Sequence, residues 1–244
     1  MRSKNFVMRL FLLIIITLVS NSTLASPPSS FSKIKKVLYK KVYPNYGKTF
    51  YTNCDWRKKQ VDLSSCGLQN SFPRKQMKRA TRVEVEHVIP SSWFYKKNGN
   101  WRQCVIDAKR AGKKKRKYCR DNDKQFRKAH NDLINLRPTV GQINANRSNK
   151  AFAERLSGKK QSTFRGNGKL MQISSRVVVP DDSIKGDIAR IGMFMSSRYD
   201  LKLSKRVINL YKKWNKLDPV SQEEWVLNKR IERAQGHGNT YVIQ

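Results

Sequence analysis

Residues 81–90 read TRVEVEHVIP, and residues 130–149 read HNDLINLRPTVGQINANRSN. The run 81–89 alternates apolar and polar side chains, the period-2 pattern of a half-buried strand, and Pro90 closes it. Residues 133–138 (LINLRP) predict a second short strand. Thr139 and Gln142 then form a T-x-x-Q capping box, which predicts a helix from there to about residue 156. Strand, loop, strand, capped helix is the frame from which the rest is read.

Upstream, Phe31, Ile34, Val37, Leu38 and Val42 fall near helical spacing behind Ser30, so a helix is expected over 31–43, ended by Pro44-Asn45-Tyr46-Gly47. Short strands are expected near 48–52 and 60–63. Residues 95–128 form a cationic insertion centred on Lys113-Lys114-Lys115-Arg116-Lys117, with poor helical period. It reads as a long loop with some helix. Residues 158–168 read as a polar surface loop and 170–179 as strand. Three helices follow, striped by Ile184, Ile188, Ile191 and Met195, by Val207, Leu210, Tyr211 and Trp214, and by a Ser221/Glu224 capping box leading through Ile231 to Gly236. With no internal repeat and no long linker, one α+β domain is expected.

The N-terminus has the pattern of an export signal: Arg2, Lys4 and Arg9, a short apolar run from Leu10 to Val19, then Thr23-Leu24-Ala25 before Ser26. The run is too short for an ordinary membrane span. Residues 1–25 therefore read as removed and 26–244 as the mature domain, exported to the periplasm or beyond and not held in a membrane. The formal net charge is +35, spread along the whole chain. Such a field attracts polyanions, nucleic acid first among them, because neutralising phosphates releases counterions without any sequence readout. Charge alone is equally satisfied by a non-catalytic exported polyanion-binding protein.

The four cysteines allow three pairings in an oxidising compartment. Cys54–Cys66 and Cys104–Cys119 are favoured, since each pair flanks one short segment. The spacings, without any C-x2-C, argue against a zinc site.

The chemistry concentrates in the two quoted runs. Asn144 and Arg147 are three apart and share a helix face, and three asparagines within six residues (144, 146, 149) are costly for a purely structural helix. His87 is one of three histidines and stands beside Glu86. Adjacent strand residues point to opposite faces, so Glu86 and His87 converge only if the strand kinks or ends there, and Pro90 favours an end.

The pattern EHVxPxxxF followed by NLxPxxGxxNxxRxN resembles the bacterial endonuclease I family, the periplasmic and extracellular nucleases of the ββα-metal (His-Me finger) superfamily. The segments VDLSSCG, DIARIGMFMSSRYDLKLS and NKRIERAQGHGNTYV extend the resemblance over most of residues 26–244. It implies a central ββα-metal motif among short strands and surrounding helices. It also implies a monomeric endonuclease that hydrolyses DNA, and RNA as a second candidate, with little sequence specificity, leaving 5′-phosphate ends.

Carried onto this chain, His87 matches the general base, Glu86 and Asn144 the ligands of one Mg²⁺ (Mn²⁺ or Ca²⁺ as substitutes), and Arg116 the arginine that holds the phosphate, with Arg110 as its alternative. Asn135 would brace the loop, and Arg147 and Asn149 would orient the site or contact phosphate. The chemistry agrees: a hard cation stabilises the charge of phosphodiester hydrolysis, Mg²⁺ takes few protein oxygens, and histidine titrates near neutrality. The chain departs from the pattern in its long basic insertion and in Trp225-Val226-Leu227, where a cysteine is expected near a tryptophan.

Overall fold

The computed structural model describes residues 30–97 and 101–243. The export signal read at residues 1–25 lies outside them. Helix α1 (Phe31–Val37) starts at Ser30, whose hydroxyl accepts the Lys33 amide at 3.2 Å, satisfying one of the free N–H groups of the first turn. It runs on as a π turn over Leu38–Val42, burying Ile34, Leu38 and Val42. A small antiparallel sheet follows: β1 (Tyr46–Lys48), β2 (Asp55–Arg57) and β3 (Gln60–Val61). Lys58 and Lys59, which join β2 to β3, take φ of 49° and 70°, the geometry that matches hairpin twist. A disulfide between Cys54 and Cys66 ties the sheet to the 3-10 turn at Ser64–Cys66.

After α2 (Arg74–Ala80) comes β4 (Val83–His87), then α3 (Ser91–Lys97), α4 (Arg102–Arg110), α5 (Lys115–Asn122) and α6 (Lys124–Asn131). The described part of the insertion is thus a set of short helices where a long loop with some helix was expected. Its period was hidden because α4 buries only Cys104 and Ala108, and α5 only Cys119. The Cys104–Cys119 disulfide joins those two helices in place of a broad apolar seam.

A 3-10 turn (Leu133–Asn135) leads into β5 (Leu136–Val140) and α7 (Gly141–Arg147). The capping box fails here. Thr139 is a buried strand residue, paired with Glu84, and α7 begins at Gly141 with no side-chain cap. The helix also ends early, at Arg147, where Ser148 turns to φ 54°, so Asn149 lies beyond it. Strand β6 (Ala151–Phe152) joins β7 (Lys160–Gly166), β8 (Lys169–Ser174) and β9 (Val177–Val179) in a sheet ordered β6-β9-β8-β7. The expected surface loop at 158–168 is mostly β7, turned into β8 by Asn167 and Gly168 at φ 48° and 81°, an Asn-Gly hairpin.

Helices α8 (Lys185–Tyr199), α9 (Lys205–Leu217) and α10 (Gln222–Gln235) complete the chain. The Ile184, Ile188, Ile191, Met195 stripe is buried throughout. Ser221 caps α10 and Gly236 ends it in a left-handed turn at φ 86°. The Glu224 side chain turns away from the cap to the buried Arg190 of α8. Among the described residues no helix is long and apolar enough to cross a membrane. The fold is α+β.

Strands β4 and β5 with α7 form the ββα unit that builds the site. Glu86 pairs with Arg137 and His87 with Leu136 in antiparallel register. Pro138 sits in β5 without cost because this sheet has only two strands, leaving its missing N–H on an edge. Gly141 is required where α7 begins: a Cβ there would lie 2.5 Å from the Arg79 carbonyl and 3.0 Å from that of Arg82. Its absence lets α7 press against the end of α2 and the start of β4.

Candidate active site

A cavity of about 700 Å³ opens at the end of β4. Glu86, His87, Arg116, Asn144, Arg147 and Asn149 all line it. Asn135 does not. It is fully buried behind the cavity, where Oδ1 accepts the Ile89 amide at 2.7 Å and Nδ2 donates to the Ile89 carbonyl at 2.9 Å. These bonds fix the turn that ends β4.

The tension between neighbouring strand residues is resolved by that ending. His87 is the last residue of β4, so the two faces meet around the strand terminus. The alternation is also inverted in depth: Glu86 is buried to 3 % exposure while Val85 is only half-buried. The Tyr51 hydroxyl donates to Glu86 Oε1 at 2.7 Å, and Arg147 Nη1 lies 3.1 Å from the same oxygen. Burial pushes the Glu86 carboxyl up, while Arg147, Tyr51 and the His87 amide pull it back, and it stays above its ordinary value.

His87 Nε2 lies 2.9 Å from the carbonyl oxygen of His130. A carbonyl only accepts, so Nε2 carries the proton and Nδ1 keeps a free lone pair. The ring stacks on Phe31, centroids 5.3 Å apart, and tilts against the His130 ring at 4.5 Å. Burial holds His87 well below the usual histidine value, helped by the neighbouring His130 ring, which disfavours a second proton beside it, and by the Arg116 and Arg147 charges, and partly opposed by the His130 carbonyl. His130 is also lowered, to about 4, chiefly by burial. Both rings are therefore neutral at pH 7.

Asn144 projects from α7. Its Nδ2 lies 3.0 Å from Glu84 Oε2. Since a carboxylate only accepts, the amide nitrogen faces Glu84 and the oxygen is left to the cavity. Glu84 is itself held by Arg79, through Nε at 2.9 Å and Nη2 at 2.8 Å, a bidentate grip. Arg147, on the same helix, is 1 % exposed and turns inward. Its guanidinium donates to the carbonyls of His87 and Val88 and lies over the Phe152 ring at 4.7 Å. It orients the strand end from behind. Asn149 joins the post-helical turn to α3: its carbonyl accepts from Trp93 Nε1 at 3.3 Å.

Of the two candidate arginines, Arg116 on α5 lines the cavity, while Arg110 is 76 % exposed beside Asp107 at the end of α4 and does not. Arg120 also lines the cavity, one helical turn after Arg116. The sequence reading missed it because the i, i+4 relation carries meaning only once the insertion is known to be helical. It missed Glu84 too, although two residues before Glu86 puts both on one strand face. No local signal marks Tyr51 or the His130 carbonyl, which reach the site across 35 and 43 residues.

The endonuclease I family model matches residues 30–244. The chain is 33% identical over 213 residues to endonuclease-1 of Buchnera aphidicola subsp. Acyrthosiphon pisum (strain APS), covering 86% of this chain and 79% of that protein. It is 31% identical to a periplasmic deoxyribonuclease of Aeromonas hydrophila (92% and 90% covered). An extracellular deoxyribonuclease of the same species is 32% identical (92% and 93% covered).

Proposed function

The chain belongs to the endonuclease I family, and from that premise we propose that it is an exported, metal-dependent endonuclease hydrolysing phosphodiester bonds of DNA, and of RNA as a second substrate, with little sequence preference. Residues 1–25 would be removed and 26–244 act as one domain. It would act as a monomer.

The observation that carries this reading is the neutral His87 with Nδ1 free, on the same cavity as Glu86, Asn144 and Arg116. His87 Nδ1 takes a proton from the attacking water, and the water oxygen bonds to phosphorus. The bond from phosphorus to the 3′ oxygen breaks, that oxygen takes a proton from solvent, and a 5′ phosphate remains. Arg116 grips the phosphate through paired N–H groups.

The residues fit a hard divalent cation. A buried carboxylate whose own pKa is raised gains from a dication beside it, and Asn144 offers an oxygen. One carboxylate and one amide oxygen suit Mg²⁺, a cation that takes few protein ligands and keeps several waters. Glu86 and Asn144 would hold it, and when bound it would supply Lewis-acid stabilisation of the developing charge. Mn²⁺ or Ca²⁺ are the substitutes to test.

Plasmid cleavage with Mg²⁺, with and without EDTA, tests the reading. Product formed equally in EDTA would remove the metal. Retention of plasmid in a gel shift with no product under any metal would leave only a polyanion binder.

A further inference from the structure

A second cavity, of about 380 Å³, adjoins the first and shares Asn149 with it. Its walls are Trp93 from α3, Lys150 and Ala151 after α7, Ser175 and Arg176 between β8 and β9, and Leu203, Ser204 and Val207 around the start of α9. We propose that it is a nucleobase subsite, holding one unpaired base beside the phosphate bound in the first cavity.

Its size lies within the range of small-ligand pockets, about 300–1,000 Å³. One wall is the half-buried indole of Trp93, and its edge is anchored because Nε1 donates to the Asn149 carbonyl. An aromatic face fixed at its polar edge offers its π surface to any base, and stacking of this kind is sequence-tolerant. Leu203 and Val207 add apolar surface. The cations are placed for the flanking phosphates. Arg176 is exposed and makes no ion pair among the described residues, and Lys150 is steadied by its bond to the Asn146 carbonyl at 2.7 Å. The separating wall is Asn149, whose side chain also reaches Ser92 at 3.5 Å. One strand can therefore run from phosphate to base across a fixed ridge. A paired base presents no free face, so the subsite selects single-stranded or frayed segments.

The subsite rests on the nucleic-acid reading above, and binding without cleavage separates the two. In EDTA, a single-stranded phosphorothioate dodecamer is titrated against indole fluorescence and by anisotropy, beside the same dodecamer with abasic sites. The wild type should bind the intact strand with quenching, and bind the abasic strand more weakly with none. Trp93→Ala should lose roughly 5- to 100-fold in affinity for the intact strand only. Trp93→Phe guards against misfolding: it should keep most of the affinity and lose the quench. Arg176→Ala should weaken both strands alike. Equal binding of intact and abasic strands, or unchanged affinity in Trp93→Ala, overturns the subsite while leaving the nuclease reading intact. No binding of either strand by the wild type overturns both.

Discussion

The carbonyl of His130 holds Nε2 of His87 at 2.9 Å, and so decides which nitrogen of that ring can accept a proton. The two residues are 43 apart in sequence, and their rings lie tilted against each other with centroids 4.5 Å apart. The catalytic capacity proposed for His87 therefore depends on the backbone of α6 as much as on its own identity.

His87→Ala should lower plasmid hydrolysis by about 10²- to 10⁴-fold, the usual contribution of a positioned general base. Initial rates at saturating Mg²⁺ are the measurement. Wild-type rates in the variant would remove His87 as the base.

Glu84→Ala should weaken metal binding although Glu84 is not proposed as a ligand. Its carboxylate sets the orientation of the Asn144 amide, and loss of such a supporting partner typically costs about 10- to 100-fold in affinity. Titration calorimetry with Mg²⁺ or Mn²⁺ reads this directly. An unchanged metal affinity would mean that Asn144 is held by other contacts.

Arg116→Ala and Arg110→Ala should behave differently. Arg116 lines the cavity and Arg110 does not, so the first should lose at least about tenfold in kcat/KM, the order expected of one charge-assisted contact. The second should stay near the wild type. Equal effects would point to bulk charge in place of a defined phosphate contact.

Arg147→Ala should destabilise the fold by about 3–5 kcal/mol, because it strands Glu86 as an unpaired buried charge and frees two carbonyls. Urea denaturation of the metal-free protein measures it. A loss below about 1 kcal/mol, the level of an exposed ion pair, would contradict the buried geometry.

Acid stability should depend on Asp132, which accepts from Tyr199 at 2.7 Å, from His237 at 3.0 Å and from Gln235 at 3.0 Å. Burial alone would raise its carboxyl, but the contacts to His237, Tyr199 and Gln235 outweigh burial and hold it below the ordinary value. The folded state then binds this proton less readily than the unfolded state. The stability it supplies is present above about pH 4 and is lost as pH falls through the native value. Asp132→Asn should be less stable than the wild type at pH 7, with the gap closing on acidification below about pH 4. A gap constant over that range would mean that Asp132 carries no such linkage.

The sequence by itself determined the α+β class, the β4 strand, the order of the ββα unit, both disulfide pairs, and that Glu86, His87, Arg116, Asn144, Arg147 and Asn149 belong together, though not Glu84 or Arg120 beside them. Those features follow from local periodicity, from spacing, and from family motifs held in short runs. It misread what depends on burial. The Thr139 cap was preempted because β5 needed that residue inside the sheet, and the cationic insertion hid its helices because a disulfide takes the place of an apolar stripe. Only the tertiary structure decided that Arg147 faces inward to two carbonyls, that Tyr51 and Arg147 hold Glu86, and that the His130 carbonyl sets the His87 tautomer. Each is a hydrogen bond or ion pair between segments distant in sequence. Its partner is chosen by which polar group would otherwise be buried without one, and no local pattern encodes that choice.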